Sequence, residues 1–313
     1  MILCIGATPA AQRVMVFEGL AIDEVNRAAK TIDGIAGKAI NVAKALQLLG
    51  EKPLAVGFSG GERGREIQGQ LNKRGIQSEF VEVAPNTRQC ITVIDRRQGT
   101  QTELVEESQP IPPEKYDELL STVRRHIKGC KAVVMSGTLT PGAPASFYRD
   151  CIDLGNSAGL LIVLDAKGEA LERAVEGGPG VVKPNRSELA ATTSEDMSTD
   201  AACFKAMKQL HERGAKRVIV TAGKEPALVF DGKNAWRIIG PSVEALNPIG
   251  SGDSFTAALT WRLLKGDGLA EACRWATAAG AANALTLLPA EFEVSEMERL
   301  EAGVRVEQIS AQS

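Results

Sequence analysis

The sequence predicts a doubly wound α/β fold: a mostly parallel sheet flanked by helices on both faces, with a small β-sheet projecting as a lid. Three observations point there. Short, continuous aliphatic runs recur along the chain, as strands buried on both faces require. Stretches with apolar residues three or four apart separate them, which is the stripe of a helix packed on a sheet. Two segments, about 12–31 and 87–106, break that rhythm and read as strands without long helices between them.

The expected core strands are Ile2–Ile5, Pro53–Phe58, Ala132–Met135, Leu161–Leu164, Gly180–Val182, Arg217–Thr221 and Ala227–Phe230. The expected helices are Ala39–Leu49, Arg63–Arg74, Pro113–Ile127, Ala145–Ser157, Asp200–Arg213, Ser254–Leu264 and Leu269–Leu285. In the lid, Arg88–Asp95 alternates and then turns near Gly99. No long linker, repeat or low-complexity stretch divides the chain, so residues 1–313 read as one domain. The polar tail beyond Gly303 reads as a loose end.

Composition narrows the function. Apolar residues are 44%, charged residues 24% and the net charge is −3, which gives no basic face for a nucleic acid. No apolar run reaches the roughly 18–20 residues of a membrane span. The apolar start, Met1–Ile5, has no basic lead-in and is interrupted by Gly6 and Pro9, so a buried strand and a cytoplasmic protein are expected. Six scattered cysteines without a CxxC pair argue against zinc or a disulfide framework. Two histidines, His126 and His211, both in expected surface helices, leave little for a histidine-based site.

Three segments carry chemistry. In Asn247–Phe255, Gly250 and Gly252 let the backbone bend so that amides converge at the start of an apolar helix, an arrangement that holds anions. Asp253 there suits proton removal from an attacking hydroxyl, although aspartate also caps helices. In Gly34–Leu46, small residues open a helix with Asn41 in its first turn. A close backbone approach and an amide that both donates and accepts fit sugar hydroxyls, and Lys38 adds charge; taken alone, the segment reads first as a glycine-rich turn before a core helix. It is not a P-loop, because Ala39 follows Lys38. In Lys183–Leu189, Asn185 and Glu188 share a face and fit a capping box; the same pair at a strand's end could hold hydrated Mg2+. A dinucleotide fingerprint is missing after the first strand.

Together these segments resemble the ribokinase-like, PfkB-type sugar kinases, in the branch of 1-phosphofructokinase and tagatose-6-phosphate kinase. That branch reads Gly-Gly-Lys-Gly-x-Asn-Val-Ala where this chain has Gly34 to Ala43. Further matches are Val25–Arg27, Thr87–Arg88, Thr102–Leu104, Ser136–Gly142 and Ala278–Asn283, in order from about residue 1 to 300. The resemblance implies a ribokinase-like fold, ATP and Mg2+ as cofactors, a sugar or sugar phosphate as acceptor, and a β-lid that pairs two subunits into a homodimer. It implies Asp253 as base, with Gly250, Ser251 and Gly252 holding the phosphoryl charge. It further implies Asn185 and Glu188 at Mg2+ through water, and Asn185, Glu188, Thr221, Gly223 and Asn283 around the nucleotide. Gln12, Gly37, Lys38, Asn41 and Thr138 would meet the sugar, and Arg27 and Arg88 a phosphate already on it.

The departures from the branch cluster on the acceptor side. Gln12 stands where the branch has an aspartate in Asn-Pro-Ala-x-Asp, Ala36 and Ala39 flank Gly37–Lys38 where it has glycines, and Cys90-Ile91-Thr92 stands for Asn-Val-Lys. A ketohexose-phosphate kinase is therefore the leading expectation. A kinase of free sugars or nucleosides, or a sugar-phosphate-binding regulator without turnover, are the alternatives.

Overall fold

The computed structural model describes residues 1–310. Its first strands are β1 (Ile2–Gly6), β2 (Ala10–Phe17), β3 (Lys30–Ala36), β4 (Pro53–Ser59), β5 (Gln77–Glu82), β6 (Arg88–Asp95) and β7 (Thr100–Val105). Then come β8 (Ala132–Ser136), β9 (Leu161–Asp165), β10 (Val181–Val182), β11 (Val218–Ala222), β12 (Glu225–Phe230), β13 (Ala235–Ile239) and β14 (Arg305–Ile309). The helices are α1 (Lys38–Leu48), α2 (Gly61–Lys73), α3 (Pro113–His126), α4 (Phe147–Ser157) and α5 (Gly168–Val175), followed by α6 (Arg186–Thr193), α7 (Asp200–Glu212), α8 (Ser251–Leu264), α9 (Leu269–Ala284) and α10 (Val294–Glu301).

Ten strands form one sheet in the order β14-β13-β12-β11-β10-β9-β8-β1-β4-β5. From β11 to β5 every neighbouring pair is parallel, and β12, β13 and β14 add an antiparallel edge. The aliphatic runs of the sequence are the central strands because both of their faces are covered. Val133 and Val134, adjacent in β8, are fully buried in opposite cores, one with Phe147, Tyr148 and Leu210, the other with Phe255, Leu259 and Ala276. The chain leaves β1 toward β4 on one side and returns through β8 to β9 on the other. That reversal places a crevice at the strands' carboxyl ends, where open α/β sheets bind ligands.

The second sheet has the order β3-β2-β6-β7. The two rhythm-breaking segments supply its members, with β2 and β6 parallel in register from Ala10↔Arg88 to Phe17↔Asp95. One face is apolar, and Val14, Val16 and Ile94 pack on Leu287 and Leu288 from the loop after α9. This contact ties the small sheet to the loop that follows α9.

Three expectations are corrected. The tail beyond Gly303 is not loose: Arg305–Ile309 is a strand paired antiparallel with β13, a polar edge strand whose partner is remote in sequence. β5 was not expected, because Gln77–Glu82 is a half-exposed edge without an aliphatic run. The helix around Ser254 starts three residues earlier, at Ser251, because its N-cap is Gly250 in the left-handed region (φ 86°). Among the described residues, no helix is long and apolar enough to cross a membrane.

Candidate active site

The loop before α8 is held from below. Asn247 is buried, accepts from the Ile249 amide (3.1 Å) and donates to the Leu287 carbonyl (2.8 Å). Gly250 takes φ 86°, and a Cβ there would lie 2.5 Å from Cβ of Pro289, so no other residue fits. Ser254 makes the first i→i−4 bond of the helix, to the Gly250 carbonyl (2.9 Å), and Ser251 donates to Pro248 (3.1 Å). The amides of Gly252 and Asp253 therefore have no acceptor within the helix and are available, with the positive helix end, to an anion.

Asp253 does not cap the helix: no side chain does. Its carboxylate instead accepts a hydrogen bond from the Asn41 amide nitrogen (2.8 Å), in the first turn of α1, and it is only 6% exposed. Burial pushes its pKa up to about 7, against the attraction of Lys38 and the Asn41 bond, with Asp165 pushing in the same direction as burial. A carboxyl poised there can take a proton near neutral pH.

Behind Asp253 runs an alternating chain of charge. Asp165, at the end of β9 and buried, meets Lys183 Nζ (3.1 Å) and Lys38 Nζ (3.2 Å), and accepts from the Thr256 hydroxyl (3.2 Å). Lys38 continues to Glu188 (2.8 Å). Desolvation opposes Asp165's charge, yet the two lysines hold its pKa below the ordinary carboxylate range, while the carboxylates raise that of Lys38 against its own burial. Glu188 uses its other oxygen on the Asn185 amide (2.9 Å), and Asn185 Oδ1 accepts from the Glu188 amide (2.8 Å). The capping box is thus real, and the same glutamate is also wired to the site. A parallel bridge joins Asn185 to Thr221, and Gly223 turns at φ 62° with open space around it.

Two of the expected site residues have strong partners within the protein. Lys38, expected at the sugar, is ion-paired to Asp165 and Glu188, because the first turn of α1 faces the carboxyl end of β9. Asn283, expected at the nucleotide, is fully buried under the loop. It donates to the Ile249 carbonyl (2.9 Å) and Ser251 Oγ (3.1 Å), and accepts from Ser254 Oγ (3.2 Å) and the Ala290 amide (2.6 Å), which exhausts its amide. Asp165 and Lys183 were missed. The signals were an acid closing an apolar strand and a lysine opening the Lys-Pro-Asn motif.

On the acceptor side, Gln12 lies on the lid's inner face, buried, and its Nε2 donates to Thr92 Oγ1 (2.8 Å). Gln12 Oε1 and Asn41 Oδ1 are buried acceptors with no partner in the protein, which suits hydroxyl donors of a ligand. Gly37, at φ 110°, caps α1 where a Cβ would press on Pro9. Arg88, at the root of the lid, donates to the carbonyls of Thr8 (3.2 Å) and Glu106 (3.5 Å). Thr138 is exposed beyond β8, and its carbonyl accepts from the Thr8 hydroxyl (3.4 Å). Arg27 stays apart, exposed on the loop between β2 and β3.

A doubly wound sheet, a helix start with free amides and a carboxyl beside it, and a small second sheet are the features of a class of enzymes that transfer phosphoryl groups to sugars, and similarity to known proteins places the chain in it. The chain belongs to the pfkB family of carbohydrate kinases, whose pattern matches residues 1–291. A tagatose-6-phosphate kinase of Staphylococcus epidermidis is 30% identical over 288 residues, covering 91% of this chain and 92% of that protein. Phosphofructokinase-2 of Escherichia coli in complex with fructose-6-phosphate superposes with a TM-score of 0.85 at 26% identity, over 96% of this chain and 98% of that one. A Thermotoga maritima protein named as a possible 1-phosphofructokinase shares the fold with a TM-score of 0.91 at 24% identity, over 99% and 100% of the two chains. The ribokinase-like fold and the ATP-dependent carbohydrate kinase activity expected from the sequence therefore stand. The expected homodimer through the lid finds no support: the assembly named among these structures is a tetrameric inhibited form of phosphofructokinase-2.

Proposed function

We propose that this protein phosphorylates a hydroxyl of a ketohexose phosphate, with ATP as donor, by direct in-line transfer with Asp253 as base. The observation that carries the reading is the Asp253 carboxyl, buried in the first turn of α8 and aimed by Asn41 rather than capping its own helix. The acceptor hydroxyl gives its proton to Asp253 as its oxygen attacks the γ-phosphorus. The bond to the ADP oxygen breaks, and the products are ADP and a phosphate ester. The Gly252 and Asp253 amides hold the charge that develops on the transferring group, positioning and charge being the main resources of phosphoryl transfer.

Lys38 stands between the carboxylates and the anion loop and belongs, in this reading, to the phosphoryl side. Asn185 and Glu188 have spent their inner atoms on each other and on Lys38, and no cluster of three or more metal-ligating residues occurs among the described residues. That donor set fits an ion that keeps its waters, as Mg2+ does: Asn185 and Glu188 would hold it through water, and it would supply charge neutralisation at the phosphates. Thr221 and Gly223 line the open edge where the nucleotide would lie. Gln12, Gly37, Asn41 and Thr138 are proposed to meet the sugar, and Arg88 and Arg27 its phosphate, Arg27 by movement of its loop.

The test is ADP production with Mg-ATP across fructose 1-phosphate, fructose 6-phosphate, tagatose 6-phosphate, free hexoses, ribose and adenosine. Turnover on one phosphorylated ketohexose is the expected result. Turnover only on an unphosphorylated acceptor would replace it with the free-sugar reading, which the neutral Gln12–Thr92 pair favours.

The pH profile tests the base separately. Because Asp253 must be ionised and its pKa is pushed up to about 7, kcat/KM should rise as pH increases through that value. A profile flat down to about pH 5, near the ordinary carboxylate range, would remove Asp253 from the role.

A further inference from the structure

We propose that Lys44 is a positioning residue for the transfer: its ammonium group locks the segment Leu287–Glu291 against the anion loop, so that turnover depends on Lys44 being charged. The inference rests on the kinase reading above and concerns a side chain that touches none of the reacting atoms.

Lys44 lies on α1, three residues beyond Asn41, and is 2% exposed. A lysine so deeply buried needs its donors matched. Its Nζ donates to the carbonyls of Pro289 (2.6 Å) and Ile35 (3.4 Å) and pairs with Glu291 Oε1 (3.1 Å). Three oxygens match the three N–H bonds of an ammonium. A neutral amine has two N–H bonds and a lone pair, so loss of the proton would leave one of these oxygens facing a lone pair. The charge, and not merely the aliphatic stem, is what the pocket is built around.

What Lys44 holds is the wall behind the catalytic loop. The Pro289 ring is the surface on which Gly250 rests, close enough that an added Cβ would sit 2.5 Å from it. The next residue, Ala290, is in the left-handed region (φ 54°) and donates its amide to Asn283, the amide that also ties down Ile249 and Ser251. Leu288 packs against the lid, beside Gly34 of β3, and Ile35 of the same strand supplies the second carbonyl to Lys44. One ammonium thus joins the helix that aims Asp253, the root of the lid and the wall of the anion loop. Displacing that wall shifts the Gly252 and Asp253 amides, and about 1 Å of misplacement can cost about 10²-fold in rate.

The charged groups around Lys44 are Glu291 from the loop, Arg74 from the end of α2 and Asp253 from α8. Burial lowers its pKa to about 8, with Arg74 acting in the same direction and Glu291 and Asp253 opposing. Arg74 also pairs with Glu291 (2.7 Å), so the glutamate is shared between two cations.

The test compares Lys44→Met, Lys44→Arg and Glu291→Gln with the wild type by steady-state kinetics and by amide hydrogen exchange over residues 250–254. In Lys44→Met, kcat should fall about 10–100-fold with little change in either KM, and exchange over 250–254 should quicken. Lys44→Arg, which keeps the charge, should restore most of both. Wild-type kcat should decline as pH rises through about 8. The decline should move to lower pH in Glu291→Gln, which withdraws the opposing charge, and vanish in Lys44→Arg. A folded Lys44→Met with normal kcat and exchange overturns the proposal, and so does a decline that neither other variant moves. If Lys44→Met does not fold, the two remaining variants decide. An inactive wild type would count against the kinase reading instead, and the exchange over 250–254 would still decide the role of Lys44.

Discussion

Replacing Asp253 with asparagine is expected to lower turnover about 10²–10⁴-fold while ATP binding is kept, the usual cost of losing a general base. The substitution preserves shape and leaves an amide to face Asn41, whose nitrogen is 2.8 Å from the carboxylate. The protein should also become more heat-stable at pH 8. Asp253 has a folded pKa raised from 3.8 to about 7, so stability is greatest below the unfolded value and is lost as pH rises through the folded one. Asparagine removes that loss. The variant is thus expected to combine a higher Tm with a much lower kcat, an outcome that unfolding cannot mimic. Near-normal turnover in a folded Asp253→Asn would end the assignment of the base.

The second large effect is at Lys38. Replacement by methionine should reduce kcat about 10²–10³-fold, the range for removing one donor to developing charge, with a smaller change in the KM of the acceptor. The reason is its place between Asp165 (3.2 Å) and Glu188 (2.8 Å), on the side of the anion loop. Without it, Asp253 should be harder to ionise, because Lys38 is the leading attraction opposing burial there. The rising limb of the kcat/KM profile should then move to higher pH. Should acceptor KM rise with kcat intact, Lys38 would return to the sugar, where its neighbours Gly37 and Asn41 in the sequence suggested it. Stability should fall as well, since Asp165 would keep only Lys183 and Thr256.

Much of the fold is legible because it follows from burial. A strand covered on both faces must be aliphatic throughout, and β1, β4, β8 and β9 read directly from their runs. The lid is legible from alternation, its sheet having one face on Leu287 and Leu288. The edges are not. β5 and β14 have mixed, exposed compositions, and β14 exists through pairing with a strand some seventy residues earlier, from Ala235↔Ile309 to Ile239↔Arg305.

The site divides along the same line. Gly250–Asp253, Asn41, Asn185 and Glu188 stand out locally, since a bend, a helix start and a capping box each have a short-range signature. By itself the sequence determined the α/β class, the small second sheet, the glycine loop with its aspartate at a helix start, and kinship to carbohydrate kinases. Only the tertiary structure decided which charges meet. Asp165, Lys183 and Lys38 come from three separate strand ends and helix starts, and Lys44 reaches a carbonyl 245 residues away. Ion pairs and buried ammonium groups depend on distance and desolvation, and both are set by how the layers pack.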